Sequence, residues 1–280
     1  TAEELRVEQL IEQATHGYFR QYQLAGRNLA LRMPFGLNGE REGGRGWTQL
    51  FHLGGKGTPA ELWPHIDAVL LSAAFRKYAA ALLAEGDKVV VFDLRRKSYE
   101  VSQEPALLEA LASGPYPGSP TRVYVRRSGG EITEADLYNY LYAVAAVGVD
   151  CSGLTHQLHR AVAGAYGVDL DAPLAAKWKV KPRIVRTRIG LWFYDPASGY
   201  TDQVDDRIDN LRPGDVLLFR GRDGAFKHSA VIQSIDLQHG LLRYVQSTDW
   251  APEEERGVHL SVARFDPARP GVTPQSTCVP

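Results

Sequence analysis

Apolar and polar residues alternate in blocks that predict a helix followed by strands in the C-terminal half of the chain. An apolar run at 216–219 follows a turn at 211–215, and a second run opens at His228. A third begins at Leu242 after a polar turn. Short apolar runs bounded by turn residues are typical of buried strands. Upstream, a helix is predicted to begin at Cys151 and to run for about three turns.

In the N-terminal half the same pattern predicts two helices. Helical periodicity extends over 2–24. A longer helix is expected from 60 to 85, because Thr58 is followed by a proline at the first helical position and by a capping-box glutamate. Pro64 is expected to disturb its first turn, and Gly86 to end it.

Glycine-rich sequence and short apolar runs fill the rest of this half. The segment 36–57 is rich in glycine and is predicted to be loop. The runs 88–94 and 98–101 predict a β-hairpin, and a short helix is expected at 105–112.

Serine, glycine and proline crowd the stretch 113–120, which reads as the clearest linker in the chain. We therefore expect an N-terminal region of unknown role at 1–113, a linker at 114–120 and a second domain at 121–280. In that domain the stretch 177–188 alternates basic and apolar residues. This spacing predicts a strand, which is either an ordinary exposed strand or a positive wall that attracts carboxylates.

Composition limits the classes of function. The chain has 280 residues, of which 44% are hydrophobic, so a packed core is expected. The net charge of −1 gives no general attraction to nucleic acid or anionic lipid. No segment reads as a membrane span, and two cysteines cannot form a disulfide framework. No pair of histidines has metal-ligand spacing with cysteine or carboxylate support, so neither a metal nor an organic cofactor is expected.

The tetrapeptide at 150–153 places a thiol at a predicted helix start. A cysteine there faces unpaired backbone N–H groups and the positive end of the helix dipole, which favours the nucleophilic thiolate. Asp150 is a typical N-cap, and Gly153 lets another segment approach closely. A small buried cysteine that packs like an apolar residue explains Cys151 equally well.

Three motifs in order resemble the NlpC-type cell-wall cysteine peptidases, a compact branch of the papain-like fold. They are Asp-Cys-Ser-Gly at 150–153, Pro-Gly-Asp at 213–215 before an apolar strand, and His228 at the start of the next strand. The resemblance covers 132–250. It implies an α+β chain, with an antiparallel sheet and a cysteine helix in a papain-like catalytic domain. That domain follows a mostly helical N-terminal region with a hairpin.

The resemblance also implies roles for single residues. Cys151 matches the nucleophile and His228 the general base. Gln246 matches the third polar position, which orients the imidazole, with Ser247 and Asp249 as neighbouring alternatives.

The expected substrate contacts come from the same comparison. Asp150 and Ser152 match positions that contact the free amino end of a substrate peptide, and Tyr140 is the tyrosine we favour beside them. The usual glycine pair before the cysteine is absent, and 143–147 looks helical instead.

The expected activity is amide hydrolysis through a thioester. The resemblance implies a bacterial peptidoglycan stem peptide as substrate, cut between D-glutamate and the diamino residue. It also implies a secreted or envelope location, although no signal peptide is visible in this chain. The alternatives are a transglutaminase-like enzyme with Asp249 as third member, another thiol amidase or acyltransferase, and a binding module without turnover.

Overall fold

A computed structural model gives the architecture of the protein and describes residues 1–36, 55–84, 89–93, 98–102, 123–204, 207–249 and 256–269. The described chain is α+β, as predicted, with helices and antiparallel sheets. Its helices are α1 Ala2–His16, α2 Pro59–Leu70, α3 Ala73–Leu83, α4 Glu134–Asn139, α5 Cys151–Ala165, α6 Asp171–Trp178, α7 Pro182–Arg188 and α8 Leu191–Tyr194. A π-helical turn, Tyr140–Ala145, continues α4, and two 3₁₀ turns lie at Pro196–Ser198 and Ile208–Asn210.

The described strands form three antiparallel sheets. Their bounds are β1 Phe19–Leu24, β2 Arg27–Arg32, β3 Val89–Asp93, β4 Ser98–Ser102, β5 Val123–Arg127, β6 Val216–Arg220, β7 Phe226–Asp236, β8 Leu241–Thr248 and β9 Gly257–Arg264. The first sheet pairs β1 with β2, the second has the order β4-β3-β5, and the third has the order β6-β7-β8-β9. The three strands predicted in the C-terminal half are β6, β7 and β8, and β9 adds a fourth.

The N-terminal helices are shorter than the sequence predicts. The capping box at Thr58 is confirmed, with a proline in the first turn, but the expected long helix is broken before Ser72. Ser72 accepts a hydrogen bond from the backbone N–H of Phe75 and so starts a new helix. The prediction of helix up to residue 24 was wrong, because α1 ends at His16 and the next residues pair as a hairpin.

The predicted hairpin at 88–101 is confirmed as β3 and β4, and β5 joins its other edge. The predicted helix at 105–112 and the linker at 114–120 lie outside the described residues. The domain boundary therefore stays a prediction.

The prediction of a basic strand over 177–188 was wrong. The segment contains the end of α6, a short connection at 179–181 and all of α7. Pro182 occupies the first turn of α7, where its missing N–H costs nothing. The apolar side chains Ala175, Val185 and Ile189 pack into one buried cluster, which sets the helical register.

One core joins residues from both halves of the chain. It includes Ile11 and Leu62 from the N-terminal half with Leu154, Val231 and Val245 from the C-terminal half. The helix α5 packs against β7 and β8, and α1 packs against both α5 and β7. In the described parts of the chain, no helix is long and apolar enough to cross a membrane.

Candidate functional site

The cysteine lies at the first position of a helix, as predicted. Cys151 begins α5, and the carboxylate of the N-cap Asp150 accepts a hydrogen bond of 2.6 Å from the N–H of Gly153. A Cβ at Gly153 would lie 2.2 Å from the carbonyl oxygen of Gly55. The glycine is therefore required by the close approach of a second segment, as the sequence indicates.

The environment of the thiol differs from the expectation of a favoured thiolate. Cys151 is only 9% exposed. Burial raises the pKa of the Cys151 thiol, and the negative charge of Asp150 adds to the rise. The nearby backbone and hydroxyl groups of Ser229 oppose the rise. Burial outweighs these contacts, so the resting group is a thiol.

The predicted base and its partner are in contact. Nε2 of His228 lies 2.7 Å from Oε1 of Gln246, and both side chains are buried. Burial lowers the pKa of His228 to about 4, although the bond to Gln246 opposes the shift. The imidazole is therefore neutral near pH 7 and able to accept a proton.

Two residues that the sequence analysis missed hold Gln246. Its Nε2 lies 3.2 Å from Nε2 of His259 and 2.7 Å from Oγ of Ser261. Nδ1 of His259 lies 2.9 Å from the carbonyl oxygen of Gly257, which accepts only from a protonated nitrogen. Nε2 of His259 is then an acceptor for the Gln246 amide.

This chain of hydrogen bonds fixes the tautomer of the base. Because the Gln246 amide donates from its nitrogen, its oxygen is left to accept the N–H of His228 Nε2. The basic nitrogen of the neutral ring is then Nδ1. The period-two pattern that marks strands gave no sign of this role for His259 and Ser261, which lie on the unpredicted strand β9.

The thiol lies near Ser229 of β7, and the imidazole belongs to the adjacent residue of that strand, His228. Oγ of Ser229 lies 3.1 Å from Oγ1 of Thr155 on α5, so Ser229 faces the cysteine helix. His228 shares the other side of the strand with Phe219, at 5.4 Å between ring centres. The structure thus brings Cys151 to Ser229 and His228 to Gln246, and it places the imidazole on the side of β7 that faces away from the cysteine helix.

Asp150 and Ser152, which were predicted to contact a substrate amine, both contact Lys56 of the same chain. The Nζ atom of Lys56 lies 2.8 Å from Oδ1 of Asp150 and also donates to Oγ of Ser152. Burial raises the pKa of the Asp150 carboxyl, and Lys56 opposes the rise. The ammonium of Lys56 thus sits where the sequence predicted a substrate amine. The sequence pattern missed this contact because it predicts the segment that carries Lys56 only as loop.

The structure does not bring Tyr140 to this cluster. Its ring is 3% exposed and stacks on Tyr78, with 4.8 Å between ring centres, and meets Phe75 edge-on. The π-helical turn that follows α4 directs the tyrosine into the core beneath α3. The assignment of Tyr140 as a substrate ligand is therefore corrected.

A different tyrosine lies near the thiol. Tyr194, on α8, is 3% exposed, and its hydroxyl has no hydrogen-bond partner among the described residues. Burial raises the pKa of Tyr194 well above its usual value, and the charges of Asp150 and Cys151 add to the rise. The sequence pattern did not single out Tyr194, because its place beside α5 depends on long-range packing.

The other histidines of α5 are structural. Nε2 of His156 lies 2.9 Å from the Asp171 carboxylate, and Nε2 of His159 lies 2.9 Å from the carbonyl oxygen of Gly214. Both side chains thus make contacts within the fold. Within the described ranges, no cluster of three or more histidine, cysteine, aspartate or glutamate side chains has the form of a metal site.

A cavity of about 570 Å³ lies away from the thiol, between the β1–β2 hairpin and α4. Three arginines contribute to its lining, Arg20, Arg32 and Arg256, but neither Cys151 nor His228 does.

In comparisons with known proteins, no family model, curated protein or solved structure matches this chain.

Proposed function

We propose that the protein is a cysteine-dependent amide hydrolase with an NlpC-type, papain-like catalytic half. The observation that supports this most is the contact of the buried His228 imidazole with Gln246, one residue along β7 from Ser229, which lies near Cys151. A helix-start cysteine, a neutral buried imidazole and an orienting amide are the groups that a thiol hydrolase requires.

The proposed reaction uses the imidazole twice. Nδ1 of His228 takes the thiol proton as Sγ of Cys151 attacks the carbonyl carbon, and backbone N–H groups at the start of α5 stabilise the oxyanion. The imidazolium then protonates the leaving amine, which gives a thioester. Water, deprotonated by the same imidazole, releases the carboxylate and restores the thiol. These steps require the ring of His228, which lies on the opposite side of β7 from Ser229, to turn toward Sγ.

Peptidoglycan stem peptides are the proposed substrates, with the bond between D-glutamate and the diamino residue as the proposed cut. The family resemblance is the main support. Basic side chains on α6 and α7, including Lys177 and Arg188, lie at the surface and suit the carboxylates of such peptides. Because Lys56 already engages Asp150 and Ser152, we do not expect the enzyme to require a free amino end.

The geometry favours Gln246 over Asp249 as the third member. Gln246 contacts the imidazole directly, whereas the Asp249 carboxylate accepts a hydrogen bond from Tyr142. This arrangement speaks against the transglutaminase-like alternative.

The test is a digest of muropeptides followed by mass spectrometry. Wild-type protein is incubated with free and with glycan-linked stem peptides. Cys151→Ser serves as the inactive variant and Cys278→Ser as its matched control. We expect cleavage of both substrates by wild type and by Cys278→Ser, and none by Cys151→Ser. Cleavage of neither substrate by wild type, with Cys151 still alkylated by iodoacetamide, would refute this substrate class.

A further inference from the structure

A lysine is buried beside the nucleophile. Lys56 lies in the segment that leads into α2, and its side chain is 3% exposed. It forms an ion pair with the Asp150 carboxylate, which is 5% exposed, and hydrogen-bonds Ser152. These two partners are the residues on either side of Cys151 in the sequence.

Hydrogen bonds hold the lysine segment in place on both sides. The carbonyl oxygen of Gly55 accepts from the N–H of Asp150 at 2.8 Å, and that of Lys56 accepts from Nε2 of Gln157 at 2.7 Å. The close approach at Gly153 leaves no room for a larger residue there. The ammonium is thus delivered to the start of α5 by a fixed piece of backbone.

Stability alone does not explain such a pair. Two buried charges pay a desolvation penalty that their attraction often fails to exceed, and an apolar pair of similar volume is frequently as stable. The Asp150 carboxylate has a second task, since it caps the helix through Gly153. The same carboxylate places a negative charge beside a sulfur that must become negative during attack.

We infer that Lys56 is a positioning residue for the Cys151 thiol: its ammonium holds the Asp150 carboxylate in the capping position and cancels its charge beside the sulfur. The directions agree, because Asp150 raises the pKa of Cys151 and Lys56 lowers it. Tyr194 from α8 is another titratable group near the thiol. His228 of β7 lies on the side of its strand away from Ser229. The inference rests on the proposed function only in that both concern the same thiol.

The experiment measures the rate constant for alkylation of Cys151 by iodoacetamide against pH, with the adduct quantified on its own peptide. It compares wild type with Asp150→Asn, Lys56→Met and the double variant. Asparagine still caps a helix, and methionine approximates the shape of lysine. Circular dichroism and thermal melts verify that each variant is folded.

We expect shifts of opposite sign. Asp150→Asn leaves a lone ammonium and should lower the midpoint of the curve of alkylation rate against pH by about one unit. Below that midpoint the reaction should therefore be roughly tenfold faster. Lys56→Met raises the midpoint, and the double variant returns to within about threefold of the wild-type rate. If Lys56→Met does not fold, Asp150→Asn and the double variant test the inference. An unshifted Asp150→Asn profile, or a double variant that does not return, overturns the inference. Alkylation needs no amide substrate, so this result is independent of whether a peptide is cleaved.

Discussion

Nε2 of His228 lies 2.7 Å from Oε1 of Gln246, and this bond sets which ring nitrogen is basic. An amide cannot ionise, so Gln246 acts on the imidazole through orientation and tautomer alone. His259 and Ser261 hold the amide from the far side. The proposed base is therefore oriented by a row of side chains that crosses β7, β8 and β9.

The first prediction concerns Gln246→Ala. Loss of the orienting amide should lower kcat/KM roughly tenfold and leave a measurable remainder, because the thiol and imidazole are both still present. Ser261→Ala, which removes one support of the amide, should have a smaller effect. Steady-state kinetics on a cleaved peptide measures both. An unaffected Gln246→Ala variant would show that the amide has no role.

The second prediction is a pH dependence of stability. The pKa of His228 is about 4 in the folded state and 6.5 when unperturbed, so its contribution to stability is fully present above pH 6.5 and is lost as the pH falls toward 4. The full loss is about 3 kcal/mol. Between pH 7 and 4, the free energy of unfolding of wild type should therefore fall by about 3 kcal/mol more than that of His228→Gln, as measured by urea titration.

The matched control is His16→Gln, since His16 is exposed at the end of α1. Its stability profile should follow that of wild type. His159 also has a lowered pKa, but it is common to all three proteins and cancels in the comparison. Identical pH profiles for His228→Gln and wild type would show that the imidazole is not buried as described.

The third prediction concerns Tyr194 and uses Tyr18 as its control. Each hydroxyl is buried without a hydrogen-bond partner among the described residues. Removal of an unsatisfied buried hydroxyl should raise the free energy of unfolding by about 1 kcal/mol in Tyr194→Phe and in Tyr18→Phe. Because Tyr194 lies beside the thiol, only Tyr194→Phe should lower turnover. Equal turnover in the two variants would remove Tyr194 from the site.

Local signals predicted the parts of the fold that depend on neighbours in sequence. The capping box at Thr58, the hairpin of β3 and β4 and the helix start at Cys151 all follow from residues within a few positions of each other. The prediction failed where a local pattern fits two structures. The alternating charges at 177–188 suit a strand, but Pro182 and the buried apolar spacing make them helical.

The candidate site likewise combines residues that the sequence pattern could place with residues that it could not. His228 and Gln246 could be placed from strand order, because consecutive antiparallel strands are neighbours. The contact of Lys56 with Asp150 joins residues 94 positions apart and leaves no pattern in the sequence. Tyr140 was misplaced for a related reason, since its burial depends on the packing of α3 against the π-helical turn.

The central claim is that His228 serves as the base for Cys151, and the alkylation rate of that thiol tests it most directly. Because burial raises the pKa of the thiol, rapid reaction near pH 7 requires a base that removes its proton. The measurement is the rate constant for iodoacetamide on the Cys151 peptide at pH 7, in wild type and in His228→Ala, with His16→Ala as control. We predict a loss of about 100-fold in His228→Ala and none in the control. Equal rates in His228→Ala and wild type would contradict the account.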